Sequence, residues 1–83
     1  MSEEDLRKQA HDLDVTLWVG KAGIEAVADE LDDQLRERHL VKVKFLRAAR
    51  SGTDTEELAA ELAAAVDANV VETRGHTGVL RQR

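Results

Sequence analysis

Between Leu40 and Leu46 the apolar residues Val41, Val43 and Phe45 alternate with Lys42 and Lys44, a period of two that a strand satisfies and a helix does not. One face of that strand is expected to be buried, and the other to carry two ammonium groups. The flanking segments have a different period. Leu6, Ala10 and Leu13 share one helical face between Glu3 and Leu13, and Ile24, Val27, Ala28, Leu31 and Leu35 recur at helical spacing through a stretch rich in Asp and Glu. Leu58, Ala59, Leu62, Ala63 and Val66 form a third helical stripe, opened by Thr53 and Glu56 at capping-box spacing. Val15-Thr16-Leu17-Trp18-Val19, stopped by Gly20, reads as a short strand. Val70 and Val71 begin another, and Gly75 and Gly78 allow a tight turn before its hairpin partner at Val79 and Leu80.

The order αβαβαββ predicts an α/β fold of two or three layers. Strands alternating with helices favour parallel pairing, and the closing hairpin adds an antiparallel pair, giving a mixed four-stranded sheet. The alanines of the third helix let it lie close to its neighbours. Trp18, in face with Thr16, is expected to be partly or fully buried against a helix. A Trp18 exposed at the centre of a basic surface would instead favour base stacking.

Eighty-three residues with 42% hydrophobic content predict a single domain over residues 1–83, with one compact core. Cysteine is absent, so neither a disulfide framework nor a thiolate metal site can hold it. Proline is also absent and the five glycines are scattered, so no linker divides the chain. Trp18 and Phe45 are too few rings for a protein that stacks successive bases. The longest apolar-rich stretch, Leu58 to Val66, is split by Glu61 and falls far short of the roughly 20 residues that span a bilayer. The acidic start Met1-Ser2-Glu3-Glu4-Asp5 lacks the basic flank of a secretory signal. A cytoplasmic monomer without a membrane partner is expected.

The net charge of −5 opposes phosphate binding, but its distribution does not. From Arg36 to Arg50 the charged residues are Arg36, Arg38, Lys42, Lys44, Arg47 and Arg50 against Glu37 alone, and Arg74, Arg81 and Arg83 follow near the end. The acids gather elsewhere, on the helices. This pattern suits a polarised surface with a basic side for a partner, and it also suits helical faces that are simply solvated.

Three segments could carry chemistry. Gly20-Lys21-Ala22-Gly23 lies between a strand and a helix expected to start near Ile24, where backbone amides, the helix end and Lys21 would receive a phosphate. Read more plainly, it is a connecting turn. It is not a P-loop, because the longer glycine spacing and the Lys-Ser/Thr pair are missing. Lys42 and Lys44, continued by Arg47 and Arg50, form either a phosphate track or an edge strand guarded by lysines. Arg74-Gly75-His76-Thr77 clusters a cation, an imidazole and a hydroxyl at a hairpin tip, or is an ordinary turn. His11 and His39 are expected at helix ends, and the three histidines are too dispersed for a metal signature. No catalytic constellation is visible, so neither an enzyme nor a cofactor is expected.

Taken in order, Val15-Thr16-Leu17-Trp18-Val19-Gly20-Lys21-Ala22-Gly23-Ile24, then Leu40-Val41-Lys42-Val43-Lys44, then Gly75-His76-Thr77 with Val79-Leu80, resemble the CRM domain, the chloroplast RNA splicing and ribosome maturation family. Its stand-alone prokaryotic members are the YhbY-like proteins. The resemblance covers nearly the whole chain. It implies an RNA-binding α/β domain similar to the C-terminal domain of bacterial translation initiation factor three, with the GXXG loop on RNA. It also implies association with precursor large-subunit ribosomal RNA rather than catalysis. Ribosomal proteins are a further expected partner. The loop role falls on Gly20, Lys21, Ala22 and Gly23, and the basic-strand role on Lys42 and Lys44. Gly75-His76-Thr77 matches a family turn, and its contact with RNA is an extension drawn from the residues themselves.

Two departures stand out. The N-terminal helix is acidic where the family segment is usually basic, and Arg81 follows Leu80 where an aromatic is often found. The high acid content and the excess of Arg over Lys would suit a halophile. A competing reading is a protein-interaction module whose acidic helices bind a basic ribosomal partner.

Overall fold

The computed structural model describes residues 3–83; Met1 and Ser2, the beginning of the acidic start, lie outside the described residues. The elements are α1 (Glu3–Asp12), β1 (Val15–Val19), α2 (Ala28–Glu37), β2 (Val41–Phe45), α3 (Thr55–Ala65), β3 (Ala68–Arg74) and β4 (Thr77–Gln82), with short 3-10 turns at Ile24–Ala26 and Arg47–Arg50. This is the expected order αβαβαββ. The four strands form one mixed sheet in the order β1-β2-β4-β3, with β1 parallel to β2 and the other two pairs antiparallel. The closing hairpin therefore places β4 between β2 and β3, so that β3 becomes an edge.

Three layers result because both faces of the sheet are apolar. Val41, Val43 and Phe45 of β2, Leu17 and Val19 of β1 and Leu80 of β4 pack with Leu31 and Leu35 of α2 and Leu58, Leu62 and Ala63 of α3. The opposite face is smaller. There Val79 and Val71 meet Leu6, Ala10 and Leu13 from α1 and its end, together with Leu40. The β2 register is the expected one: Val41, Val43 and Phe45 are buried and Lys44 is exposed. Lys42 is half-buried, because its stem runs beside α1 and its Nζ lies 3.5 Å from the Ala10 carbonyl oxygen.

Trp18 departs from expectation, being 53% exposed rather than buried against a helix. α1 docks over β3 and β4 through Val71 and Val79 and leaves Trp18, on the edge strand β1, uncovered. Thr16 does not share its surroundings. The register of β1 against β2 shifts between Val15 and Leu17. Thr16 donates its hydroxyl to Gln34 Oε1 of α2 at 2.6 Å, and Gln34 Nε2 donates back to the Thr16 carbonyl at 3.0 Å.

Two local details also differ. The cap of α3 is Asp54, whose Oδ1 accepts from the Glu57 amide at 2.8 Å, one residue beyond the expected Thr53 and Glu56 pair. A carboxylate there satisfies a free amide and also opposes the positive end of the helix. Thr53 instead donates to the Glu57 side chain at 3.1 Å. Gly78 lies inside β4 rather than in the turn, buried against α3, and the tight turn uses Gly75 (φ 58°).

Candidate nucleic-acid interface

The parallel pair β1 and β2 ends where three loops meet. The Leu46 amide donates to the Val19 carbonyl at 2.8 Å, which ties the exit of β2 to the exit of β1. The Phe45 amide donates to the His76 carbonyl at 2.8 Å, which brings the β3–β4 hairpin tip to the same edge. Residues 20–23, 46–50 and 75–76, far apart in sequence, thus share one end of the sheet.

In the first loop, the Gly23 amide donates to the Gly20 carbonyl at 3.0 Å, closing a turn with Lys21 and Ala22 exposed at its corner. Gly23 has φ 83° and ψ −177°, a conformation essentially reserved for glycine. Gly20 has no positive φ. The helix does not begin near Ile24 as expected. A three-residue 3-10 turn at Ile24–Ala26 intervenes and α2 starts at Ala28, because Val27 (φ −114°, ψ −2°) interrupts the α-helical path. The N-terminus of α2 is therefore displaced from the loop, whose own features are the exposed Lys21 and the turn rather than a helix end.

In the second loop Arg47 is exposed, whereas Arg50 is half-buried and donates from Nε to the Phe45 carbonyl at 3.0 Å. Arg50 thereby braces the end of β2 and lines a cleft with Thr53, Asp54, Glu56, Gly75 and His76. In the hairpin, Arg74 and Thr77 face each other across a two-residue loop whose first member, Gly75, has positive φ, the arrangement of a type II′ turn. The Thr77 hydroxyl donates to the Arg74 carbonyl at 2.8 Å and holds that turn, while His76 is exposed at its tip. Arg74 Nη1 reaches His11 Nδ1 of α1 at 2.7 Å; since a guanidinium has no acceptor, the imidazole nitrogen accepts.

One row crosses the sheet beside this edge. Trp18 is paired in register with Lys44, Lys44 with Thr77, and Thr77 with Arg74. All four lie on the α1 side, since their strand neighbours Leu17, Val19, Val43 and Phe45 are buried beneath α2 and α3. At about 4.8 Å per strand the row is about 14 Å long. Asp29, Glu30, Asp33 and Glu37 on α2 and Glu57 and Glu61 on α3 are exposed on the other side, while Glu56 lines the cleft beside Arg50 and His76, and α1 carries exposed Glu4, Asp5 and Asp12. The structure thus brings together Gly20, Lys21, Ala22, Gly23, Arg47, Arg50, Gly75 and His76 at the sheet end. Lys44, Thr77 and Arg74 lie on the adjoining face, with Lys42 one row further in and half under α1.

Trp18 is the residue that sequence reasoning set aside. Its signal was parity: it is out of phase with Leu17 and Val19, so it must point to the face that a single helix has to cover.

A family model for the CRS1 / YhbY (CRM) domain matches residues 2–81. The chain belongs to the CRM family. A probable RNA-binding protein of Methanocaldococcus jannaschii is 51% identical over 71 residues, which cover 86% of this chain and 53% of the relative. This CRM chain therefore spans about half the length of that curated relative. The solution structure of a hypothetical protein of Staphylococcus aureus, a candidate RNA-binding protein, superposes with a TM-score of 0.80 at 33% identity, covering 98% of this chain and 83% of the other. That superposition takes in 98% of this chain, so the three-layer arrangement is shared with the staphylococcal protein.

Among the described residues, no group of three or more His, Cys, Asp or Glu side chains could hold a metal ion, and no helix is long and apolar enough to cross a membrane.

Proposed function

We propose that this CRM protein is a non-enzymatic RNA-binding protein that engages precursor large-subunit ribosomal RNA and assists assembly of the large subunit, acting in the cytoplasm as a monomer with residues 1–83 as one unit. The observation that carries the reading is the meeting of the GXXG loop, the Arg47–Arg50 turn and the Gly75-His76 tip at one end of the sheet, next to Lys44. Lys21, Lys44 and Arg47 present exposed charge to phosphates. Gly20, Ala22 and Gly23 shape the loop, and Lys42, Arg50, Arg74, His76 and Thr77 complete and brace the footprint. Family membership and the names of the archaeal and staphylococcal relatives support RNA as the ligand. The carboxylates of α2 and α3 disfavour an approach of RNA from the far side.

The same acidic helices favour a second reading, a protein-interaction module that binds a basic ribosomal protein through α2 and α3. Replacing both Lys21 and Ala22 by Asp separates the two. Both side chains are exposed and both glycines remain, so the thermal midpoint should move by no more than about 3 °C. Affinity for ribosomal precursor RNA should fall about tenfold or more, the loss expected from removing and opposing a charge-assisted phosphate contact. Undiminished binding by the folded double variant would return the loop to a connecting turn and favour the protein-interaction reading.

A further inference from the structure

We propose that Trp18 is the stacking platform for a single unpaired nucleobase of the bound RNA, with the adjacent phosphates held by Lys44 and the Gly20–Gly23 loop. The inference rests on the RNA-binding reading above and adds to it which RNA conformation the surface selects. Trp18 is 53% exposed although Leu17 and Val19 on either side of it are buried. Its in-register neighbour on β2 is the exposed Lys44, and the row continues through Thr77 to Arg74. The residues in register with the indole across the sheet are two cations and a hydroxyl, and the one other exposed large apolar side chain near it among the described residues is Leu46 beside Gly20, so its surround is mixed rather than the apolar cluster expected at the centre of a protein–protein contact. It does match a ligand that is flat and apolar on one part and anionic on the next, which describes a nucleotide.

Position along the strand agrees. Trp18 precedes Gly20 by two residues, about 6.6 Å of strand, so a nucleotide whose phosphate lies at the loop can turn its base onto the ring. A single ring cannot stack successive bases, but one base needs only one ring. A duplex cannot use it, because its bases are already stacked inside and it offers only ribose, phosphate and groove edges.

The chain has one tryptophan, so its emission reports this ring alone. The 83-residue protein would be titrated at low salt with an unpaired oligoadenylate and with an RNA duplex of equal phosphate number, each carrying a fluorophore whose anisotropy reports affinity for every variant, while tryptophan emission is read on the unsubstituted protein with unlabelled RNA. Oligoadenylate should quench the emission. Trp18→Ala should weaken oligoadenylate binding by about 5- to 100-fold, the range for one stacked base, and change duplex binding less than twofold. Trp18→Phe should recover most of the loss and Trp18→Leu little of it, with circular dichroism confirming that each variant folds. Recovery by Leu equal to that by Phe would overturn the platform in favour of simple packing. Oligoadenylate binding left intact by a folded Trp18→Ala would overturn it in favour of a protein contact at this ring. Both of those results leave RNA binding itself standing. Anisotropy unchanged by either RNA would overturn the RNA-binding reading and the platform with it.

Discussion

Ala59 of α3 and Gly78 of β4 are packed so closely that a Cβ placed on Gly78 would lie 3.3 Å from the Ala59 Cβ. The same atom would lie 3.3 Å from Cε2 of Phe45, which is itself fully buried. Helix α3 can approach the centre of the sheet because one partner has no Cβ and the other has nothing beyond it. The lack of bulk at Ala59 and Gly78 therefore sets how closely α3 lies on the sheet at this point.

Gly78→Ala is accordingly expected to destabilise the fold by about 1 kcal/mol, since overpacking against the Ala59 Cβ, which cannot rotate away, and a seated ring outweighs the better strand propensity of alanine. Gly78→Val should cost more. In the double variant with Ala59→Gly, the Gly78→Ala penalty should shrink, giving a measurable coupling between the two sites. Urea unfolding of the four proteins of the cycle checks this, and zero coupling would mean that the layers part freely at this point.

The two glycines of the GXXG loop are expected to behave unequally in stability. Gly23 sits at φ 83° and ψ −177°, so Gly23→Ala should cost about 1–3 kcal/mol. Gly20 has no positive φ, and a Cβ there would meet Leu46 Cδ1 at a comfortable 3.9 Å. Gly20→Ala should change stability by no more than about 0.5 kcal/mol. Thermal unfolding distinguishes them, and equal losses would show that the turn closed between Gly20 and Gly23 matters more than the backbone angle.

The two lysines of β2 should differ in the salt dependence of RNA binding. Lys44→Ala removes an exposed ammonium and should lower the slope of log affinity against log salt by about 0.7–0.9. Lys42 is half-buried with its Nζ 3.5 Å from the Ala10 carbonyl, so Lys42→Ala should lower the slope less and loosen α1 instead. Affinities at several ionic strengths, paired with unfolding curves, test the difference. Identical slopes for the two variants would show that Lys42 swings clear of α1 to reach RNA.

Much of this was legible because it is local. The alternation of Val41, Val43 and Phe45 with Lys42 and Lys44 needs no tertiary information, and the register in the structure is the one it implies. Gly20-Lys21-Ala22-Gly23 and Gly75-His76-Thr77 likewise carry the family in their own residues and spacing. The α3 cap was misplaced by one residue because Thr53 and Asp54 both suit that position, and the choice depends on which oxygen reaches the Glu57 amide. The start of α2 was placed too early since Ile24 and Val27 fit the helical period whether the turn is 3-10 or α.

The sequence by itself determined the order of elements, the buried face of β2 and the family, because each follows from a repeat or motif within a few residues. Tertiary structure decided what no local window contains. The insertion of β4 between β2 and β3, the seating of α1 on Val71 and Val79, and hence the exposure of Trp18 beside Lys44 depend on which distant surfaces fit together. One short helix can cover only part of a four-stranded face, and packing of Ala10 against Val79 chose the part that leaves Trp18 open to solvent.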